Sequence, residues 1–201
     1  MIYPNLIFLP GASGSTAFWQ PVIEKISNDV IKKVIAYPSF GGYAAHPSVM
    51  SFDDLQAFVI DQIQIPSIVI AQSMGGIFAV QAALQKSTLI QGLVLVATSG
   101  GIDLSLFDTL DWRRQYQETF QVPDWFTGHH EYLDDQLSQI QCPILLIWGD
   151  ADPISPIVIG RYLQSQLSQS ELHIIAKGQH DLAHSHAHQV SQLITAFVEK
   201  F

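Results

Sequence analysis

Short continuous runs of apolar residues, rich in Val, Ile and Leu, recur along this chain at residues 6–9, 33–37, 67–71, 92–97, 144–148 and 172–176, each followed closely by Pro, Gly or Ser. A strand with one wet face alternates apolar and polar side chains. Most of these runs do not alternate, so both of their faces must be covered, as in a parallel sheet. Between the runs lie amphipathic segments. Trp19, Val22, Ile23 and Ile26 share one helical face, as do Phe52, Leu55, Phe58, Val59 and Ile63. Val190, Leu193, Ile194, Phe197, Val198 and Phe201 repeat at three and four, which predicts a final helix docked on the sheet. Strand and helix in alternation predict an α/β fold of three layers: a mostly parallel sheet of about six strands with helices on both faces.

With 201 residues, 48% hydrophobic and 13% charged, the chain can bury one substantial core, so a single domain over residues 1–201 is expected. Nine basic against eighteen acidic side chains give a formal charge of −9, and the basic residues are scattered. That balance repels phosphate backbones and anionic lipid surfaces, so neither nucleic acid nor membrane is an expected partner. No run reaches the roughly 18 to 20 apolar residues of a membrane-spanning helix. Residues 1–10 lack the basic flank and apolar length of a signal peptide and read as the first core strand, so a cytoplasmic location is expected. Cys142 is the single cysteine and has no partner for an intramolecular disulfide; beside Pro143, it reads as a buried structural thiol.

Residues 98–141 break the rhythm. They are aromatic-rich, hold Trp112, Trp125 and Phe126, and show no convincing strand. An insertion over the sheet edge, hence a lid, is the expectation.

Four stretches carry chemistry. Residues 67–76 read SIVIAQSMGG: a buried strand, a sharp turn at Ser73 and a helix starting near Met74. Small residues flank the serine, Ala71 two before and Gly75 two after, and Gly76 lets helix and strand approach. Residues 6–15 read LIFLPGASGS, a strand running into a Gly-rich turn. That turn equally suits a helix cap, and it lacks the Lys-Ser/Thr pair of a phosphate loop. Residues 143–156 read PILLIWGDADPISP, a buried strand ending in Asp150 and Asp152, and residues 176–181 read AKGQHD, placing His180 in a loop before the last helix. His184, His186 and His188 follow, but only the His180 and His184 pair has helical ligand spacing, and no Glu accompanies it as in H-E-x-x-H; they read as solvated helix residues and no metal is expected.

Taken together these stretches resemble the α/β-hydrolase superfamily over essentially the whole chain. The Ser73 turn resembles its G-x-S-x-G nucleophile elbow, with Ala71 replacing the first Gly. By that resemblance Ser73 is the nucleophile, His180 of the G-x-H loop the general base, and Asp152, three residues after Gly149, the acid that orients the histidine. Asp150 and Asp103 are the alternative acids, and a turn residue or helix cap is the plain structural reading of any of the three. The resemblance also assigns oxyanion-binding N–H groups to Ala12 and Met74, although Pro10 stands where the family often has His. Asp152 follows Ser73 by 79 positions and His180 by 28 more, each just after a predicted strand, where open parallel sheets bind ligands. The family's usual two N-terminal strands are absent, which leaves six.

The implied activity is serine hydrolysis of a small or medium apolar carboxylic ester through an acyl-enzyme, without a cofactor. The same triad serves thioester, amide, C–C bond and perhydrolase chemistry, and hydrolase-like receptors bind small molecules on this fold without turnover. Phe40, Met74, Phe107, Trp112, Trp125, Phe126 and Ile154 are the expected pocket residues. Residues 98–141 hold eight acidic side chains against Arg113 and Arg114, which disfavours a strongly anionic substrate or an acidic carrier-protein partner.

Overall fold

A computed structural model describes residues 4–109, 116–117 and 122–201. Six strands form one sheet: β1 (Asn5–Leu9), β2 (Lys32–Val34), β3 (Ser67–Gln72), β4 (Ile90–Val96), β5 (Ile144–Gly149) and β6 (Ser170–Ile175). Their order is β2-β1-β3-β4-β5-β6 and every neighbouring pair is parallel. The helices are α1 (Gln20–Ile23), α2 (Phe52–Asp61), α3 (Met74–Gln85), α4 (Asp124–Thr127), α5 (Ile157–Gln166), α6 (Leu182–Ser185) and α7 (Ala187–Val198).

The pleat sorts consecutive side chains onto opposite faces, and each face has its own core. Leu9, Val69, Leu95, Leu146 and Trp148 pack with Leu55 and Val59 of α2, Phe78 of α3 and Leu163 of α5. Phe8, Ile70, Val94 and Ile147 pack with Val22 of α1 and with Val190, Ile194 and Phe197 of α7. Full burial of each such side chain contributes about 1.5–3 kcal/mol, so the continuous apolar runs are the sheet's own two-sided requirement.

The chain runs from β1 outward to β2 and then returns past β1 to β3. This reversal opens a crevice above the C-terminal ends of β1 and β3, the place where open α/β sheets hold ligands. Strand β2 is shorter than the run at residues 33–37 predicts, because it is an edge strand and the chain turns at Pro38. The amide of Ile35 still reaches the carbonyl of Phe8 at 3.0 Å.

Residues 98–141 form no strand among the described residues. They contain 3₁₀ turns at Leu104–Leu106 and Asp134–Gln139 and the short α4. The Asp134 carboxylate anchors the segment: one oxygen accepts from the Asp103 amide at 2.9 Å and the other from the Tyr162 hydroxyl of α5 at 3.0 Å. Among the described residues no helix is long and apolar enough to cross a membrane.

Candidate active site

Ser73 joins β3 to α3 with φ 52° and ψ −122°, a backbone conformation that non-glycine residues rarely adopt. The end of β4 holds it there. Its amide donates to Val96 O at 3.1 Å, and its carbonyl accepts from the Thr98 hydroxyl at 2.5 Å. The helix must leave the turn close against β1, and Gly75 permits this: a Cβ there would stand 2.7 Å from Leu9 O and 2.6 Å from Pro10 O.

His180 and Asp152 arrive from the ends of β6 and β5. Gly149 and Gly178 let these two loops touch, since a Cβ on Gly149 would lie 2.0 Å from Gly178 O. The Ala151 amide donates to that same carbonyl at 3.0 Å. His180 Nδ1 then lies 2.8 Å from Asp152 Oδ2, and Nε2 lies 3.0 Å from Ser73 Oγ. Asp152 is only 5% exposed, and its other oxygen accepts from the amides of Ile154 at 2.8 Å and Ser155 at 3.0 Å. With the carboxylate as acceptor, the imidazole hydrogen sits on Nδ1, and Nε2 is left as the acceptor facing the serine hydroxyl. The three side chains therefore form one chain of hydrogen bonds from a buried carboxylate to a strained serine.

The other two aspartates do different work. Asp150 Oδ1 accepts from the amide of Lys177 at 2.6 Å, and so supports a residue at φ 60° in the loop that carries His180. Asp103 caps the Leu104–Leu106 turn by accepting from the Ser105 amide at 2.9 Å; that bond holds its carboxyl below the usual range.

Ala12 follows β1, Met74 opens α3, and both border the same cavity. Neither backbone N–H has a hydrogen-bond partner among the described residues. The β1 turn is fixed from behind, because Trp19 Nε1 donates to Leu9 O at 3.1 Å and the Tyr37 hydroxyl to Pro10 O at 2.8 Å.

The cavity encloses about 500 Å³, within the usual range of small-molecule sites. Ser73, His180, Met74, Phe126 and Ile154 line it, together with Phe18, Phe52, Leu104, Tyr116, His129 and Glu131. Phe40, Phe107 and Trp125 correct the expected pocket, for none of them lines it. Phe40 is buried behind the wall, edge-on to Phe126 at 5.4 Å and to Trp125 at 5.9 Å, while Phe107 packs edge-on against Tyr162 at 5.4 Å. Phe40 is drawn into the core, where it buries more area than in an open cavity, while Phe107 and Trp125 stay half-buried against the core's edge. Trp112 lies outside the described residues, as do Arg113 and Arg114.

Several functional contacts have no sequence motif. Gln72 is buried beside the serine and donates Nε2 to His180 O at 3.1 Å, tying the elbow to the histidine loop. Thr98, two residues past β4, fixes the elbow. His129 and Glu131 pair at 2.7 Å in the cavity wall. The Gln72 and Thr98 contacts link positions far apart in sequence, and the His129–Glu131 pair belongs to the cavity only through the fold, so no local spacing announces them. The later histidines lie apart from the triad's hydrogen bonds: the His184 ring stands 6.2 Å from Phe18, and His186 Nδ1 meets Ser185 Oγ at 3.0 Å.

A family model described as "alpha/beta hydrolase fold" matches residues 4–128. Among curated relatives, the pimeloyl-[acyl-carrier protein] methyl ester esterase of Aliivibrio salmonicida is 32% identical over 95 residues, which cover 47% of this chain and only 36% of that protein. The uncharacterized hydrolase YugF of Bacillus subtilis is 22% identical across 97% of this chain and 90% of its own length. Among solved structures, MenH from S. aureus superposes with a TM-score of 0.80 at 19% identity, covering 98% of this chain and 94% of that one. A putative lipase from Acinetobacter baumannii gives 0.83 at 17% identity, covering 98% and 84%. The six-stranded parallel sheet, the strained serine turn and the family match over more than half of its length agree: the chain belongs to the α/β-hydrolase fold family.

Proposed function

We propose that this chain is a serine hydrolase that cleaves carboxylic esters bearing a small or medium apolar group. The observation that carries this reading is the hydrogen-bonded series Asp152, His180, Ser73 opening into a largely apolar cavity. In the reaction, His180 Nε2 accepts the Ser73 hydroxyl proton as Oγ attacks the ester carbonyl carbon. Asp152 holds the imidazole and stabilises its charged form. The Ala12 and Met74 amides donate to the oxyanion that develops, and the N-terminus of α3 adds its positive dipole. The imidazolium then protonates the departing alkoxide, leaving an acyl group on Ser73. Water, deprotonated by His180, attacks that acyl carbon and releases the acid. Residues 98–141 act as the cap over this chemistry, since Asp103, Leu104, Phe126 and Glu131 all border the cavity.

Thioester and C–C bond cleavage need the same groups. The ester reading is preferred because the apolar wall of Met74, Ile77, Phe126 and Ile154 suits an uncharged group, and because four of the curated relatives are named as methyl ester esterases. The test is turnover of short p-nitrophenyl esters by the whole chain. Wild type should hydrolyse them, and Ser73→Ala should lose roughly 10⁴-fold or more in kcat. Absence of turnover across acetyl to octanoyl esters would instead support a non-catalytic binding protein of the same fold.

A further inference from the structure

The cavity wall opposite in kind to the triad is polar and prearranged. His129 lies flat on Phe52, with ring centroids 3.8 Å apart and an interplanar angle of 10°. Its Nε2 is 2.7 Å from Glu131 Oε2, and Glu131 Oε1 accepts from Gln81 Nε2 of α3 at 3.2 Å. Both oxygens of the carboxylate are therefore engaged, and the side chains of His129 and Glu131 are only 21% and 16% exposed. A carboxylate can only accept, so the neutral imidazole keeps its hydrogen on Nε2 and presents a bare lone pair at Nδ1. Nδ1 has no protein partner among the described residues. It is not sealed in the core either, because Gln56 Oε1 is the one buried side-chain polar atom left unpartnered among them.

We propose that His129, oriented by Glu131 and Gln81, is a specificity site that accepts a hydrogen bond from a neutral donor on the substrate, a hydroxyl or amide N–H carried away from the scissile carbonyl. Three observations converge on it. The ring is clamped by Phe52, its tautomer is set by a carboxylate that is itself held, and the pair borders the same cavity as Ser73. A carboxylate-bearing substrate is disfavoured there, since it would bring a second negative charge and no donor to the pair. The proposal deepens the hydrolase reading by naming the substrate class: an ester whose otherwise apolar chain carries a hydroxyl or amide.

The experiment compares ω-hydroxy, ω-methoxy and unsubstituted methyl alkanoates across a range of chain lengths, with a parallel series of diol monoacetates and their methyl ethers. Wild type should prefer hydroxy over methoxy by about three- to tenfold in kcat/KM at one chain length, the range of one neutral hydrogen bond. His129→Phe keeps an aromatic ring on Phe52 but removes the acceptor, and the hydroxy-to-methoxy ratio should fall to about one. Glu131→Gln places an amide donor against Nε2 and moves the ring hydrogen to Nδ1. The site then donates, and the methoxy ester gains relative to the hydroxy ester. A ratio near one in wild type at every length in both series overturns the proposal, as does a preference that persists in His129→Phe. The same pairs are titrated calorimetrically into Ser73→Ala. If wild type turns over none of the esters the hydrolase reading fails, while a hydroxy preference in Kd, lost on adding His129→Phe, still upholds the His129 site and its absence overturns it.

Discussion

Ser73, Asp152 and His180 sit on turns whose backbones are fixed by strand ends and by one another, whereas Phe126, His129 and Glu131 sit within residues 98–141 and are held by side-chain contacts to α2 and α3. In the first region geometry comes from the main chain: Val96 O, Gly178 O and the amides of Ile154 and Ser155 position the three side chains. In the second it comes from pairs such as Asp134 with Tyr162 and Glu131 with Gln81. A backbone-held site keeps its chemistry while its surroundings vary, and a side-chain-held wall changes with single substitutions. On this view the sheet edge sets the reaction and the segment sets the substrate.

The largest expected effects test the sheet-edge half. His180→Ala should lower kcat roughly 10⁴-fold or more, and combining it with Ser73→Ala should add little, because the groups act as a unit. Asp152→Asn should lower kcat by about 10³- to 10⁴-fold, since an amide presents the wrong hydrogen to His180. Asp150→Asn, which disturbs only the Lys177 turn, should cost less than about tenfold. The reverse ranking of the two aspartates would overturn the assignment. Acidification should also reduce kcat with chemistry rate-limiting, because a protonated His180 cannot take the serine proton.

Smaller effects separate the halves. Gln72→Leu removes the bond to His180 O and should lower kcat by about tenfold with little change in KM, read from steady-state kinetics. Phe126→Ala, on the segment side, should raise KM more than it lowers kcat. Phe40→Ala, behind the wall, should instead act on stability, costing about 3–5 kcal/mol in denaturant unfolding. If Phe40→Ala altered chain-length preference without loss of stability, the distinction between wall and core would be wrong. Least of all, Cys142 should be inert. Burial pushes its thiol up to about 11, so iodoacetamide labelling should be slow at pH 8 and quicken only as pH approaches that value.

The same contrast explains what could be read from the chain beforehand. Five of the six apolar runs coincide with strands to within a residue or two; in β1, β3, β4 and β5 burial on both faces leaves a continuous signature, whereas the edge strand β6 is only partly buried. Strand β2 ended early at its edge position. Ser73, Asp152 and His180 were legible because each follows a strand and each turn demands small residues or a fixed spacing. Phe40, Phe107 and Trp125 were misplaced, since an aromatic side chain looks alike whether it lines a cavity or backs its wall. Gln72 meets His180 across 108 positions and Gln81 meets Glu131 across 50, so contacts of that kind exist only once the fold does.

The activated serine can be observed directly by treating the whole chain with a fluorophosphonate and mapping the adduct by peptide mass spectrometry. A single adduct on Ser73, abolished in His180→Ala, is the predicted result. No adduct, or one on Ser13, Ser99 or Ser155 with Ser73 unmodified, would contradict a Ser73 nucleophile activated by His180.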